Sequence, residues 1–221
     1  MVTTRAFVGI DAGTTGCTVM IFDERGRSLG HGYKEYPCIA PHPGWSEQDL
    51  DAVWQGICEA CSQATSAANL PAEAYKSVGL SSQRGTIAML DEDKQPLCNS
   101  YVWNCTRAID YQAKFEAEIS PEEHQKLTGM QLSPLWTAAK IAWFRDNQPA
   151  LFEKTHWFAN GQEYFLYKLG AEEWMTDPAS LTLNGMMDIA NLDWSDKILS
   201  MCGITRDKLP PVGVPSGVAG S

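Results

Sequence analysis

Ala6-Phe7-Val8-Gly9-Ile10-Asp11-Ala12-Gly13-Thr14-Thr15-Gly16-Cys17-Thr18-Val19-Met20-Ile21-Phe22 decides how this chain is read. Residues 6–10 form a short apolar run, as in a buried strand, and residues 17–22 form a second. The polar, glycine-containing turn 11–16 lies between them, so the segment predicts a β-hairpin. The turn also has the composition of a phosphate-facing loop. Gly13 and Gly16 let backbone amides approach a phosphate, and Thr14 and Thr15 add hydroxyl donors. Asp11 is placed to hold Mg²⁺ directly or through water. On spacing alone the plain turn and the phosphate loop both stay open. Neither G-x-x-x-x-G-K-[ST] nor G-x-G-x-x-G occurs.

Outward from the hairpin, residues 23–26 close the second strand and residues 30–36 predict a third. Pro41-His42-Pro43-Gly44 breaks the chain. Ser46, with Asp49 three residues on, reads as a capping box for a helix over about 47–67, whose apolar positions are Leu50, Val53, Trp54, Ile57 and Cys61. Residues 78–80 and 86–90 read as strands around Ser81-Ser82-Gln83-Arg84-Gly85, and 101–103 as another. After Arg107 the pattern turns helical, with helices expected over 108–119, from 121, over 137–146, 163–169 and 195–202. Residues 177–187 are polar and irregular, and Pro210 to Gly217 reads as a linker. The tail 210–221 is expected to be loosely held. No internal repeat or low-complexity block is visible.

A chain of 221 residues with 44% apolar and 20% charged residues suits one ordinary globular core with an appendage. The net charge of −10 argues against nucleic acid and anionic membrane as partners. No apolar run is long enough to span a bilayer, and Met1 to Gly9 lacks the pattern of a signal peptide. Seven cysteines, an odd number, fit reduced thiols, so the expected location is cytoplasmic. Cys58-Glu59-Ala60-Cys61 falls in a predicted helix with no second C-x-x-C or spaced histidine, and reads as two thiols on a helix face.

Three further clusters have chemical potential. Gln83 and Arg84 lie between two apolar runs, and an arginine fork can reach several ligand hydroxyls or simply occupy a turn. Trp103-Asn104 with Arg107 suits the carbon face of a sugar, and suits a core aromatic equally well. Asp177 can orient a hydroxyl, though by composition it caps a helix.

In order along the chain, Gly9-Ile10-Asp11-Ala12-Gly13-Thr14-Thr15, Pro43-Gly44-Trp45-Ser46-Glu47-Gln48-Asp49, Ser82-Gln83-Arg84-Gly85-Thr86, Val102-Trp103-Asn104 with Arg107, Thr176-Asp177-Pro178-Ala179-Ser180, Leu192-Asp193-Trp194-Ser195 and Leu209-Pro210-Pro211-Val212 form a series. This series resembles the FGGY family of carbohydrate kinases, which includes glycerol kinases and xylulokinases. The resemblance implies an α/β, actin-like (ribonuclease-H-like) ATPase domain, with a mixed sheet, helices on both faces and a helical insertion over about 108–190. It implies one N-terminal sugar kinase domain over 1–209, then the start of an interdomain linker at 210–221. It also implies in-line transfer of the γ-phosphate of ATP to a hydroxyl of a small sugar or polyol. By matching motif, Asp11 is the acid that works through Mg²⁺, and Gly13, Thr14, Thr15 and Gly16 lie at the transferred phosphate. Gln83, Arg84 and Gly85, with Trp103 and Asn104, meet the acceptor.

Several positions depart from the pattern. Glycerol kinases carry glutamate where this chain has Gly85, and xylulokinases carry Met-His at Arg84-Gly85. The aspartate usual after Trp-Asn in xylulokinases is Cys105, a glycerol kinase tyrosine falls on Leu135, and a glycerol kinase arginine falls on Thr18. A different polyol, ketose or related small sugar is therefore implied. The family's general base lies in a Gly-Asp segment of its second half, and no Gly-Asp dipeptide occurs here. The resemblance thus makes this chain the sugar-binding lobe, inactive alone, with the C-terminal lobe as its partner. A catalytically incompetent sugar-binding or partner-lobe module, another actin-like ATPase and a homo-oligomer stay open.

Overall fold

The two apolar runs of the opening segment fold as a hairpin: β1 (Ala6–Ala12) and β2 (Gly16–Asp23) pair antiparallel in the computed structural model, which describes residues 4–213 and 217–220. The chain continues through β3 (Ser28–Glu35), β4 (Glu47–Gln48), α1 (Leu50–Ala68) and β5 (Tyr75–Ser82). It divides into two compact units. The first comprises the chain up to Cys38 together with Asp49–Gln83, and the second Ile39–Gln48 together with everything from Arg84 onward.

In the first unit the sheet order is β3-β2-β1-β5, with β5 parallel to β1 and the other pairs antiparallel. This is the mixed sheet expected. Cys17, Val19 and Ile21 alternate into the core, and α1 packs over β2 and β3. The approach is close because β3 has no side chain at the contact. A Cβ at Gly32 would stand 2.0 Å from the Ala60 carbonyl oxygen, and one at Gly30 would stand 2.2 Å from that of Ala64. Small residues Gly56, Ala60 and Ala64 therefore share the buried face of α1 with Leu50, Val53 and Ile57, while Trp54 and Cys61 are only half-buried.

The helix start differs from the sequence reading. Asp49, not Ser46, caps α1, its carboxylate accepting from the amides of Asp51 at 2.9 Å and Ala52 at 3.3 Å. Glu47–Gln48 is withdrawn from the helix because it pairs as a strand with Ser100–Tyr101 in the second unit.

That unit holds β6 (Ile87–Leu90), β7 (Ser100–Tyr101), α2 (Gln112–Glu116), α3 (Pro121–Thr128), α4 (Thr137–Asn147), α5 (Pro149–Lys154), β8 (Trp157–Asn160), α6 (Gly161–Lys168), α7 (Pro178–Leu181), β9 (Met187–Asp188), β10 (Asp193–Trp194) and α8 (Asp196–Cys202). Its four-stranded sheet runs β4-β7-β6-β8, all antiparallel. Tyr101, Phe144, Phe158, Leu181 and Ile198 are among its buried residues. The insertion expected to be helical thus carries strands as well. The single helix expected over 108–119 is a 3₁₀ turn, Ile109–Tyr111, followed by the short α2.

The tail from Pro210 is not loose where it is described. The Trp194 indole N–H donates to the Pro210 carbonyl at 2.8 Å, the Thr176 amide donates to Pro211 at 3.0 Å, and the Gly213 amide returns to Thr176 at 2.7 Å. Buried donors at Trp194 and Thr176 need acceptors, and this segment supplies them. Val214, Pro215, Ser216 and Ser221 lie outside the described residues. No helix among the described residues is long and apolar enough to cross a membrane.

Two pairs of substitutions test this architecture. Gly32→Ala forces a methyl into backbone and should cost at least ~2 kcal/mol in urea unfolding. Gly9→Ala, with nothing nearer than 4.0 Å, should cost less than ~1 kcal/mol. Asp49→Ala should cost about 1 kcal/mol, and Ser46→Ala less, if Asp49 is the cap.

Candidate functional site

The phosphate-loop candidates all belong to the first unit. Asp11 lies one residue before the end of β1, with its carboxylate exposed on an open trough of about 520 Å³ that Thr18, Met20 and Phe22 also line. The loop beyond it is braced from within. The Gly13 amide donates to the Gly16 carbonyl at 3.0 Å, and the Tyr36 hydroxyl donates to the Gly13 carbonyl at 2.7 Å. Burial raises the Tyr36 phenol far above its ordinary range, which keeps it a donor. Gly16 has a packing reason of its own, since a Cβ there would meet the Lys34 carbonyl and the Tyr33 hydroxyl at 2.8 Å. Gln83 follows β5, with its amide on the Ala12 carbonyl at 2.9 Å.

Among the described residues no group of three or more His, Cys, Asp or Glu side chains is placed to hold a metal. A single exposed carboxylate beside a glycine- and hydroxyl-bearing turn nevertheless fits Mg²⁺. That ion keeps most of its waters and takes phosphate oxygens from a nucleotide. The seven cysteines are free thiols, with Cys58 and Cys61 half-buried on α1 as a helix-face pair.

Of the acceptor candidates, Gln83 falls in the first unit, and Arg84, Gly85, Trp103 and Asn104 belong to the second. Gly85 has φ +70°, and a Cβ on it would stand 3.2 Å from Leu183 Cβ and 3.4 Å from Trp103 Cβ. That contact brings the Arg84 turn, the Trp103 turn and the end of α7 together. Arg84 is exposed, and its Nη1 donates to Thr182 Oγ1 at 3.0 Å. Thr182 in turn donates to the Ala179 carbonyl at 2.8 Å. Trp103 is 46% exposed, so it is a surface face and not a core aromatic. Asp177 acts as the composition indicates, capping α7 through the amides of Ala179 at 2.8 Å and Ser180 at 3.0 Å.

The Trp103 turn is fixed from behind by two buried cations. Lys140 Nζ donates to the carbonyls of Val102 and Trp103, both at 2.9 Å. Arg107 pairs with Glu47 at 2.5 Å and lies over the rings of Tyr101, Trp45 and Trp143. Burial, with the Arg107 charge nearby, brings the Lys140 ammonium down to about 7. Lys140, Thr182 and Leu183 carry no motif. The signal that marks Lys140 is its helix, where Thr137 to Phe144 are buried all round, so any polar group must find partners inside.

The Lys140 shift makes stability pH-dependent. Its folded pKa lies below its unfolded value, so between about 7 and about 10.5 the unfolded chain binds more protons. Stability from this group therefore rises with pH across that window. The Tm of the parent chain minus that of Lys140→Met should increase from pH 7 to pH 10. A flat or falling difference would contradict a buried, desolvated ammonium.

Known proteins share this arrangement. The description "FGGY family of carbohydrate kinases, N-terminal domain" matches residues 6–221. The glycerol kinase of Thermococcus onnurineus is 30% identical over 220 residues, which is 98% of this chain and 44% of that protein. The chain spans less than half the length of the curated relatives it matches. Among solved structures, a gluconate kinase from Lactobacillus acidophilus superposes with a TM-score of 0.91 at 21% identity, over 99% of this chain and 44% of that one. A Plasmodium falciparum glycerol kinase with ADP gives 0.85 at 24% identity, over 95% and 43%. The likeness at these identities is one of fold, an actin-like domain with a mixed sheet and helices, and the match over residues 6–221 places the chain in the FGGY family of carbohydrate kinases, as its N-terminal domain.

Proposed function

We propose that this chain is the sugar-binding lobe of an ATP-dependent carbohydrate kinase, with a small sugar or polyol as phosphoryl acceptor. The observation that carries the reading is the meeting of Arg84, Gly85 and Trp103 in one unit, with the indole exposed and its turn anchored by Lys140. An exposed indole face takes the C–H side of a sugar, while a guanidinium held at one corner donates to its hydroxyls. Gly85 keeps the space between them free of side chain.

Asp11 and the Gly13-Thr14-Thr15-Gly16 loop are the residues proposed to face Mg·ATP, and Asp11 would hold the ion through its waters. When bound, Mg·ATP supplies the phosphoryl group and neutralises charge on the phosphates during transfer. The chain's own residues would position the acceptor hydroxyl, and holding reactants in place is the larger part of catalysis in this chemistry. We place the general base in the family's second half, so this stretch alone would bind sugar without turning it over. A cytoplasmic location and a C-terminal lobe as partner belong to the same proposal.

A thermal-shift series tests the reading. One or more of a set of polyols, ketoses and sugar acids should raise the Tm of the purified chain by mass action. Trp103→Ala should abolish that rise, with a smaller drop in the unliganded Tm than truncating a buried tryptophan would give, since the residue is 46% exposed. A rise with Mg·ATP and none with any sugar would instead favour a plain actin-like ATPase.

A further inference from the structure

The charge at the acceptor site is unbalanced. Arg84 has no carboxylate partner among the described residues, only the Thr182 hydroxyl at 3.0 Å. Arg107 in the same unit is neutralised by Glu47. The acid that glycerol kinases place after the arginine is excluded here twice. Gly85 occupies the left-handed region at φ +70°, and any side chain on it would press on Leu183 and Trp103. Thr182 also commits its own hydrogen to the Ala179 carbonyl, so it restrains one corner of the guanidinium and leaves the other N–H groups to a ligand.

In the free protein, water solvates this charge. Binding removes that water. A neutral polyol would then leave the guanidinium with hydroxyl partners and no countercharge, which is costly. A carboxylate returns two parallel charge-assisted bonds in the geometry of the arginine fork. Trp103 and Leu183 offer an apolar wall for the carbon chain beside it. The chain's overall charge of −10 repels anions at long range, so an anion held here is held by this local contact.

We propose that the acceptor is a sugar acid, an open-chain hydroxylated carboxylate whose carboxylate meets Arg84 and whose carbon chain lies against Trp103 and Leu183. This rests on the sugar-binding reading above and narrows it. Calorimetric titration of the chain with gluconate and glucitol, and with xylonate and xylitol, compares acid and alcohol of equal length. At least one acid should bind about tenfold or more tightly than its alcohol, the difference expected of one charge-assisted pair. The preference should shrink as KCl is raised. Arg84→Gln is exposed and should keep the parent circular dichroism spectrum and Tm while losing the preference for the acid.

Alcohols that bind as tightly as their acids, with binding still lost in Trp103→Ala, would overturn the sugar-acid proposal and leave the sugar-binding reading standing. Full competition by acetate at equal ionic strength would show a bare anion site and overturn it as well. Absence of binding by both classes would overturn both.

Discussion

A buried guanidinium holds the larger unit together. Arg107 is 6% exposed, and among the described residues Glu47 is the carboxylate that pairs with it, at 2.5 Å. Tyr101, Trp45 and Trp143 surround its faces, so it is enclosed by π systems as well as paired. Removing Glu47 would leave a buried, unpaired cation, the costly half of such a pair. Through this one group the segment Ile39–Gln48, the strand β7 and the helix α4 become a single block. The Trp103 turn is built on that block. Lys140 takes the carbonyls of Val102 and Trp103, and the Thr106 amide takes the Gly44 carbonyl at 2.8 Å. The proposed acceptor wall is thus held from behind by buried polar and charged contacts, with its indole partly exposed.

The smaller unit is governed by a different constraint, backbone proximity. Gly30 and Gly32 let α1 lie against β3 at a separation no side chain would allow, and alanines on the helix complete the fit. Such a contact tolerates little, because backbone atoms cannot rotate away. It holds the sheet from which Asp11 and its loop project. Position of the loop is therefore set by packing, while its internal shape is set by Tyr36 and the Gly13–Gly16 turn.

Much of this was legible in the sequence, for physical reasons that differ by element. The hairpin follows from two short apolar runs around a polar, glycine-containing turn. α3 begins at Pro121 as expected, and the Ser120 hydroxyl caps it by accepting from the Glu123 amide at 3.1 Å. The ordered motifs gave the family without the structure. Asp177 was readable as a cap because Asp-Pro opens helices. The capping box at Ser46 misled because local chemistry competed with a distant strand: Glu47 is claimed by Ser100–Tyr101 and Arg107, contacts about 50 to 60 residues away in sequence that no window can weigh. β8, β9 and β10 are too short for a periodic signal, and two of them span only two residues. The tail Pro210–Gly213 reads as linker by composition, yet it supplies acceptors for Trp194 and Thr176.

The candidate residues divide between Gln83 and Arg84 along the chain. Those proposed for phosphate, Asp11 and Gly13 to Gly16, lie on the unit held by backbone packing together with Gln83, and the other residues proposed for the acceptor lie on the unit held by buried charge. The two tasks make different demands. A phosphate loop works through amides and a metal-bearing carboxylate, which need an exact backbone path and little side-chain variety. An acceptor wall must discriminate among ligands of similar size, and that depends on side chains and on which of them is absent. In the proposed site, Gly85 is where such a choice would be made. Its left-handed backbone and its contacts with Leu183 and Trp103 remove a neighbouring acid and leave Arg84 as the dominant charge of the wall. In the proposed reading, selectivity depends as much on a missing side chain as on those present.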